Sequence, residues 1–332
     1  MMRPLVYISR SIAAEAISLI AQCCDYRIWN NDQPVPAKIL EEEMKKSDGV
    51  LTTLSDQVNA AFIAGAPNLK IISNMAAGFD NIDISEATAK GVMVTNTPGI
   101  LTNTTADLAF ALILAASRRL IEAEKFLRNG QWQAWEPMLL TGQDVYGATL
   151  GIIGLGQIGS AVARRAKGFN MNIIYCNRKR DYRAEAELGA TYANLKELLS
   201  LSDIVSIHCP LTRETKGLIS YWELAMMKPT AVLINTARGG VVDEGALYEA
   251  LANRRIFAAG LDVFSEEPLP LDNPLFKLPN VTLLPHIGSA SIATRTKMAI
   301  MTASDLVAGL TGKLPRNLVN PEVVKDTPIE KS

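Results

Sequence analysis

An α/β architecture of two doubly wound parallel sheets is predicted by three observations. Residues 1–98 alternate β-rich runs with helical patterns, residues 149–284 do so again, and an unbroken helical pattern over 102–128 stands between the two blocks. In the first block Leu5–Ser9, Tyr26–Trp29, Gly49–Thr53, Lys70–Asn74 and Val92–Asn96 read as strands. Ser11–Ala21, Ala37–Lys46, Asn59–Ala66 and Ile84–Lys90 read as the helices between them. The dividing helix, Thr102–Arg128, has Asn103 or Thr104 as its N-cap and Gly130 as its stop. In the second block the strands are Thr149–Ile153, Asn172–Cys176, Ile204–Cys209, Ala231–Asn235, Ala258–Val263 and Val281–Leu284. Helical patterns at Ile158–Phe169, Leu195–Leu199 and Glu244–Asn253 separate several of them, and Ser289–Leu310 is a last helix. That helix has no strand left to pair with in the second block, so it is expected to return to the first. The expected domains are therefore 1–98 plus 289–332, discontinuous, and 99–288, both of Rossmann or flavodoxin-like kind with a cleft between them. The polar tail from Val324 is expected to be disordered.

Composition narrows the function. Across 332 residues, 48% hydrophobic and 20% charged content suits a large globular core. A formal charge of −1 argues against a general binder of nucleic acid or membrane surfaces. Cys23, Cys24, Cys176 and Cys209 show neither metal-ligand spacing nor a disulfide framework. Cys176 and Cys209 end apolar runs and read as buried thiols, and no metal site is expected. The N-terminus lacks a signal-peptide core, and the apolar stretch Leu108–Ala116 is too short to span a bilayer. A cytoplasmic location is expected.

Gly151-Ile-Ile-Gly154-Leu-Gly156-Gln-Ile-Gly159 follows a strand and opens a helix, so Gly154, Gly156 and Gly159 fill G-x-G-x-x-G. The first glycine permits the tight turn, the second lets a pyrophosphate approach the backbone, and the third lets the helix pack on its strand. At the end of the next strand an NAD enzyme carries a carboxylate for the ribose 2′-hydroxyl. Here the run is Cys176-Asn177-Arg178-Lys179-Arg180, with no acid and three cations. These side chains would attract a 2′-phosphate, which points to NADP(H), with NADH still possible.

Arg238, Glu267 and His286 each follow a strand, at the edge where an open parallel sheet binds ligands. A guanidinium captures a carboxylate bidentately, and an imidazole beside a carboxylate moves one proton. The chain has two histidines, so His208 is the rival. It ends a strand before Cys209-Pro210, with no carboxylate near it in sequence except Asp203, and reads as a structural or cofactor-edge residue.

These residues and their surroundings resemble the D-isomer-specific 2-hydroxyacid dehydrogenase family over nearly the whole chain. The likeness rests on Ala76-Ala-Gly78-Phe-Asp-Asn-Ile-Asp83, Thr104-Thr-Ala-Asp107, the glycine fingerprint, His208-Cys-Pro-Leu-Thr212, Asn235-Thr-Ala-Arg-Gly-Gly240, Asp262-Val-Phe264, Glu267-Pro268 and Pro285-His286. Leu101-Thr-Asn-Thr-Thr-Ala-Asp107 and Trp132-Gln-Ala-Trp135-Glu-Pro137 carry a closer likeness to glyoxylate/hydroxypyruvate and 2-ketogluconate reductases. The resemblance implies that His286 is the general acid, Glu267 its tuner and Arg238 the carboxylate anchor. It implies that the N–H groups of Ala77 and Gly78 hold the same carboxylate. It places Asp262 on the nicotinamide amide, Leu54 in the pocket, and Trp135 in the pocket of a partner subunit, hence a homodimer. It also extends the cofactor set to Thr105, Gln157, Ile158, Cys209, Pro210, Thr215, Thr236 and Ala237. The implied substrate is a small 2-oxo acid, reduced to the D-2-hydroxy acid. Leu54-Ser-Asp-Gln lacks an arginine for a phosphate, which disfavours 3-phosphoglycerate, and the 75–79 loop lacks the lysine of phosphite oxidisers. Glu267 in place of glutamine sets the chain apart from formate dehydrogenases. The alternatives are an NAD-dependent D-lactate or D-3-phosphoglycerate type dehydrogenase and a non-enzymatic NAD(H)-sensing corepressor.

Overall fold

A computed structural model describes residues 3–324, so the expectation for the polar tail concerns residues outside the described part, beyond Val324. The chain divides into two compact units: everything up to Leu101 together with the stretch from Ser289 on, and Thr102–Gly288.

The first unit contains β1 (Leu5–Ile8), α1 (Ala14–Cys23), β2 (Asp25–Ile28), α2 (Ala37–Met44), β3 (Gly49–Thr52), α3 (Ala60–Ala64), β4 (Ile71–Asn74), α4 (Ile84–Ala89) and β5 (Met93–Thr95). Its sheet runs β2-β1-β3-β4-β5, with every pair parallel. Successive side chains of a strand face opposite ways, and both faces here are apolar. Tyr7, Val50, Ile72 and Val94 pack on one side, and Val6, Ile8, Leu51 and Ile71 on the other. The last long helix, Ile292–Leu310, covers the second side through Ala299, Ala303 and Leu306, beside Ala16 and Ile20 of α1. Its Ser291 side chain caps the N-terminus by accepting from Thr294 N–H.

The second unit begins with α5 (Thr102–Ser117) and α6 (Leu120–Arg128). The sequence predicts one helix here, with a cap at Asn103 or Thr104; the structure starts it at Thr102 and breaks it at Arg118–Arg119. Two causes coincide. The Ser117 carbonyl, which a continuing helix would use, instead accepts from Gln143 N–H at 2.8 Å. Arg119 takes a left-handed φ of 53° and its guanidinium clasps Glu122 through two 2.8 Å hydrogen bonds. The unit continues with β6 (Thr149–Ile153), α7 (Gln157–Lys167), β7 (Asn172–Cys176), α8 (Tyr182–Leu188), β8 (Thr191–Tyr192), α9 (Leu195–Leu201) and β9 (Ile204–Ile207). It ends with α10 (Tyr221–Met226), β10 (Val232–Asn235), α11 (Glu244–Ala252), β11 (Ala258–Leu261) and β12 (Val281–Leu283). The parallel sheet runs β12-β11-β10-β9-β6-β7-β8, so the order reverses at β6. Ligands bind such sheets beyond the carboxyl ends of the strands at that reversal. Leu150, Ile152, Val232 and Ile234 fill one face, and Ile153, Val205, Leu233 and Leu261 the other. α8, β8 and α10 are elements that sequence patterning misses. No helix among the described residues is long and apolar enough to cross a membrane.

Candidate active site

The glycine turn between β6 and α7 has three different geometries, one for each glycine. Gly154 has φ 98°, and a Cβ there would lie 2.6 Å from Cys209 N. A Cβ on Gly159 would lie 2.3 Å from the Gly154 carbonyl, so α7 approaches its strand as only glycine allows. At Gly156 a Cβ would meet nothing within 4 Å, so the space over that backbone is open. Gly156 is also the N-cap of α7 and offers no side-chain cap, leaving the helix N-terminus at Gln157 and Ile158 available to an anion. A dinucleotide pyrophosphate fits this cradle. A second fit lies at β10: the Thr236 hydroxyl is buried and has no hydrogen-bond partner among the described residues. Such a group calls for a ligand or water.

Beyond β7, Asn177 stands where an acid is absent, and its Oδ1 accepts from Leu155 N–H at 2.7 Å, tying it to the glycine turn. The basic run is not uniform. Arg180 donates to both oxygens of Glu185 at 2.7 and 2.8 Å and lies 4.8 Å from the Tyr182 ring centre. Arg178 and Lys179 form no ion pair or hydrogen bond among the described residues. Of the three cations, Arg180 is thus already engaged by a bidentate carboxylate. Cys176, the last residue of β7, and Cys209, just past β9, are half-buried rather than buried, and all four cysteines are free thiols. Burial pushes the Cys209 thiol up to about 11. Cys209-Pro210 leads into a loop closed by Thr215, whose Oγ1 donates to Pro210 O at 2.6 Å and accepts from Thr212 N–H at 2.7 Å.

Arg238, Glu267 and His286 share one electrostatic neighbourhood beyond β10, β11 and β12. His286 Nδ1 lies 2.7 Å from Glu267 Oε2, and the other oxygen, Oε1, accepts from Phe264 N–H at 2.9 Å. Burial pushes the Glu267 carboxyl up. The hydrogen bond and charge of His286, the Phe264 N–H and the Arg238 guanidinium outweigh it and hold the group below the usual carboxylate range. Arg238 is extended, with φ −148°, and its Nη1 donates to Ala237 O at 2.8 Å. Asn235 braces the same turn, donating to Arg238 O and accepting from Ala237 N–H. The side chains of His286 and Glu267 are 25% and 29% exposed, so water can exchange protons with the pair.

Asp262 has a place that sequence does not reveal. It is buried, and its two oxygens accept from Ile287 N–H at 2.7 Å and Gly288 N–H at 2.8 Å. His286 itself has φ 54°, and this clamp on the next two residues holds it there. Burial pushes the Asp262 carboxyl up, against those backbone donors and the charge of His286. Thr105 of α5 borders the same corner: a Cβ on Gly288 would lie 3.3 Å from Asp262 Oδ2 and from Thr105 Cγ2.

His208 has a different environment. Its Nε2 is 2.8 Å from Ser206 Oγ, and burial pushes the imidazole down to about 4. A folded pKa below the unfolded one means that the unfolded chain binds the proton first. Stability from this group is therefore complete above about 6.5 and is lost as pH falls from there toward about 4. Denaturant melts between pH 7 and 4 should show this loss, on the order of a few kcal/mol. His208→Gln should flatten the upper part of that curve, and an unchanged slope would refute the neutral histidine.

In the first unit Leu54 is 37% exposed just past β3, and Ala77 and Gly78 are half-buried just past β4. Trp135, in the loop after α6, is 77% exposed.

The chain is similar to known proteins over nearly its whole length. A family model for the D-isomer specific 2-hydroxyacid dehydrogenase NAD-binding domain matches residues 110–288. The chain is 50% identical over 328 residues to a glyoxylate reductase of Korarchaeum cryptofilum, covering 98% of this chain and 99% of that one. It is 48% identical to a glyoxylate reductase of Thermococcus litoralis, covering 98% and 100%. Among solved structures, a NADPH-dependent glyoxylate/hydroxypyruvate reductase of Sinorhizobium meliloti, in complex with NADP and malonate, is 34% identical. It superposes with a TM-score of 0.85 over 97% of this chain and 98% of that one.

Proposed function

The chain belongs to the D-isomer specific 2-hydroxyacid dehydrogenase family and is an oxidoreductase with an NAD(P)-binding domain, and from this premise we propose that it reduces a small 2-oxo acid to the D-2-hydroxy acid with NADPH. Glyoxylate, hydroxypyruvate and 2-ketogluconate are the proposed substrates. The observation that carries the reading is the 2.7 Å pairing of His286 Nδ1 with Glu267, close to the Arg238 guanidinium.

The reduced nicotinamide, when bound, supplies a hydride to the carbonyl carbon. Arg238 binds the substrate carboxylate and polarises the carbonyl, since its fork matches two oxygens. Glu267, held ionised, fixes Nδ1 of the imidazole, which leaves Nε2 to give the carbonyl oxygen its proton. The neutral imidazole then regains a proton from water. Asp262 keeps the proton donor in place through Ile287 and Gly288 and has lone pairs left for the nicotinamide amide. The glycine turn with Gln157 and Ile158 would hold the pyrophosphate. Asn177, Arg178 and Lys179 would take the adenosine ribose phosphate. Cys209, Pro210, Thr215, Thr236, Ala237 and Thr105 would line the rest of the site. We assign cofactor binding to the 102–288 unit and the 2-oxo acid's pocket, with Leu54, Ala77 and Gly78, to the other.

The exposed Trp135 fits insertion into a partner subunit, and sedimentation should then give twice the chain mass; a monomer would reject it. A cytoplasmic location follows from the same reading, and fractionation of cells would check it.

A panel of 2-oxo acids, read by oxidation of NADPH and NADH, tests the function. Turnover of at least one proposed substrate with a clear NADPH preference is expected. No oxidation of either nucleotide would favour a binding protein instead. Replacing Arg178 and Lys179 together by alanine should raise KM for NADPH on the order of tenfold to a hundredfold, with little change for NADH. An equal change for both nucleotides would mean that the two cations are merely solvated.

A further inference from the structure

Three successive carbonyls of the loop after β4 are each held by a donor of the same unit. Ala76 O accepts from Thr97 N–H at 2.8 Å, Ala77 O from Asn96 Nδ2 at 2.6 Å, and Gly78 O from Asn74 Nδ2 at 3.0 Å. In a trans peptide the carbonyl and the following N–H point in opposite directions. Fixing these carbonyls inward therefore aims the N–H groups of Ala77, Gly78 and Phe79 outward. None of the three finds an acceptor among the described residues, whereas the Ala76 N–H just before them donates to Asn74 O. Successive backbone N–H groups with a common direction make a concavity for an anion.

The asparagines that impose this direction are themselves fixed. Asn74 is fully buried, and its amide is used at every position. Oδ1 accepts from Thr52 Oγ1 at 3.1 Å, and Nδ2 donates to Gly78 O and to Asn81 Oδ1, each at 3.0 Å. A flipped amide would set oxygen against two oxygens, so only one orientation is satisfied. Asn81 in turn donates to Thr53 O at 3.1 Å and Asp56 O at 2.8 Å. Those carbonyls bracket Leu54. One chain of buried hydrogen bonds thus joins the loop of Leu54 to the loop of Ala77 and Gly78.

We propose that Asn74 and Asn96 are positioning residues that set the carboxylate-binding loop through its carbonyl oxygens, present a third N–H donor at Phe79, and register that loop against Leu54 through Asn81. The inference rests on the reading that Ala77 and Gly78 hold the substrate carboxylate.

The test uses the full-length protein and oxamate, a non-reducible 2-oxo acid isostere. Asn96→Asp keeps the shape but turns a donor into an acceptor facing a carbonyl. It should raise KM for the 2-oxo acid and the inhibition constant of oxamate together, about tenfold. Affinity for NADPH should be unchanged and kcat within about threefold. Asn74→Asp should do the same more strongly, with a lower melting temperature because that group is buried. Asn96, half-buried at the loop edge, keeps the test open if the Asn74 variant fails to fold. Lower kcat and stability with unchanged KM and oxamate inhibition would overturn the inference, because a purely structural role predicts that pattern. Backbone amide resonances of Ala77, Gly78 and Phe79 separate the two levels. If oxamate leaves them unmoved in the unmodified protein, the carboxylate is held elsewhere and both readings fall. If they move with the same affinity in Asn96→Asp, only the positioning role falls.

Discussion

Replacing His286 with glutamine is expected to lower kcat for carbonyl reduction by about 10²-fold to 10⁴-fold, the range a general acid contributes. Nucleotide affinity should stay within about twofold, since the imidazole and the glycine turn are separate parts of the sheet edge. Glutamine can still form a hydrogen bond with Glu267, but it has no proton to release at the rate of turnover. His208→Gln is the paired control: that imidazole is pushed down to about 4 and sits on Ser206, so it has no proton to give at neutral pH. Its loss should leave most of the turnover, and an inactive His208 variant beside an active His286 variant would reverse the assignment.

Replacing Arg238 with lysine should be nearly as damaging. A lysine keeps the charge but offers a point donor where a planar fork meets two oxygens. The guanidinium is also steadied by its own neighbour, Ala237 O, at 2.8 Å, a contact that lysine would not reproduce in the same geometry. Two charge-assisted hydrogen bonds lost from the substrate carboxylate and carbonyl correspond to a fall in kcat/KM on the order of 10²-fold to 10³-fold. KM should rise as well as kcat fall, because the carboxylate is held before and during the reaction. Steady-state kinetics with the best substrate of the panel decides it. A lysine variant with kcat/KM near that of the unmodified enzyme would remove Arg238 from the substrate.

The parts of the molecule visible in sequence are those whose causes are local. Apolar runs such as Leu150–Ile153 and Val232–Ile234 give the parallel strands, and the glycine spacing gives the turn that the three geometries at 154, 156 and 159 fulfil. The break at Arg119 was not visible because its cause lies at Gln143, far along the chain. α10 carried a readable sign, the capping pair of Ser220 and Glu223, and α8 had Asp181 before it and Gly189 after it. Their shortness hid them. Among the site residues, the grouping of Glu267 with His286 was legible from strand ends. The grip of Asp262 on Ile287 and Gly288, and of Asn74 on Gly78, was not, because each acts on main chain, whose partners leave no trace in residue types. The engagement of Arg180 by Glu185 was likewise hidden inside an apparently uniform basic run.

The clamp at Asp262 gives His286, the proposed proton donor, a fixed frame of reference. Asp262 directly follows β11, and β11 connects to β6 and its glycine turn through β10 and β9 by unbroken parallel pairing. The imidazole at 286 is therefore registered through Asp262 and this paired sheet to the glycine turn, the proposed nucleotide cradle. Within this unit the sheet acts as a ruler that sets the spacing between His286 and the glycine turn. Whatever moves during turnover moves relative to that ruler, and substitutions that loosen it should blur the alignment of proton and hydride before they unfold the protein.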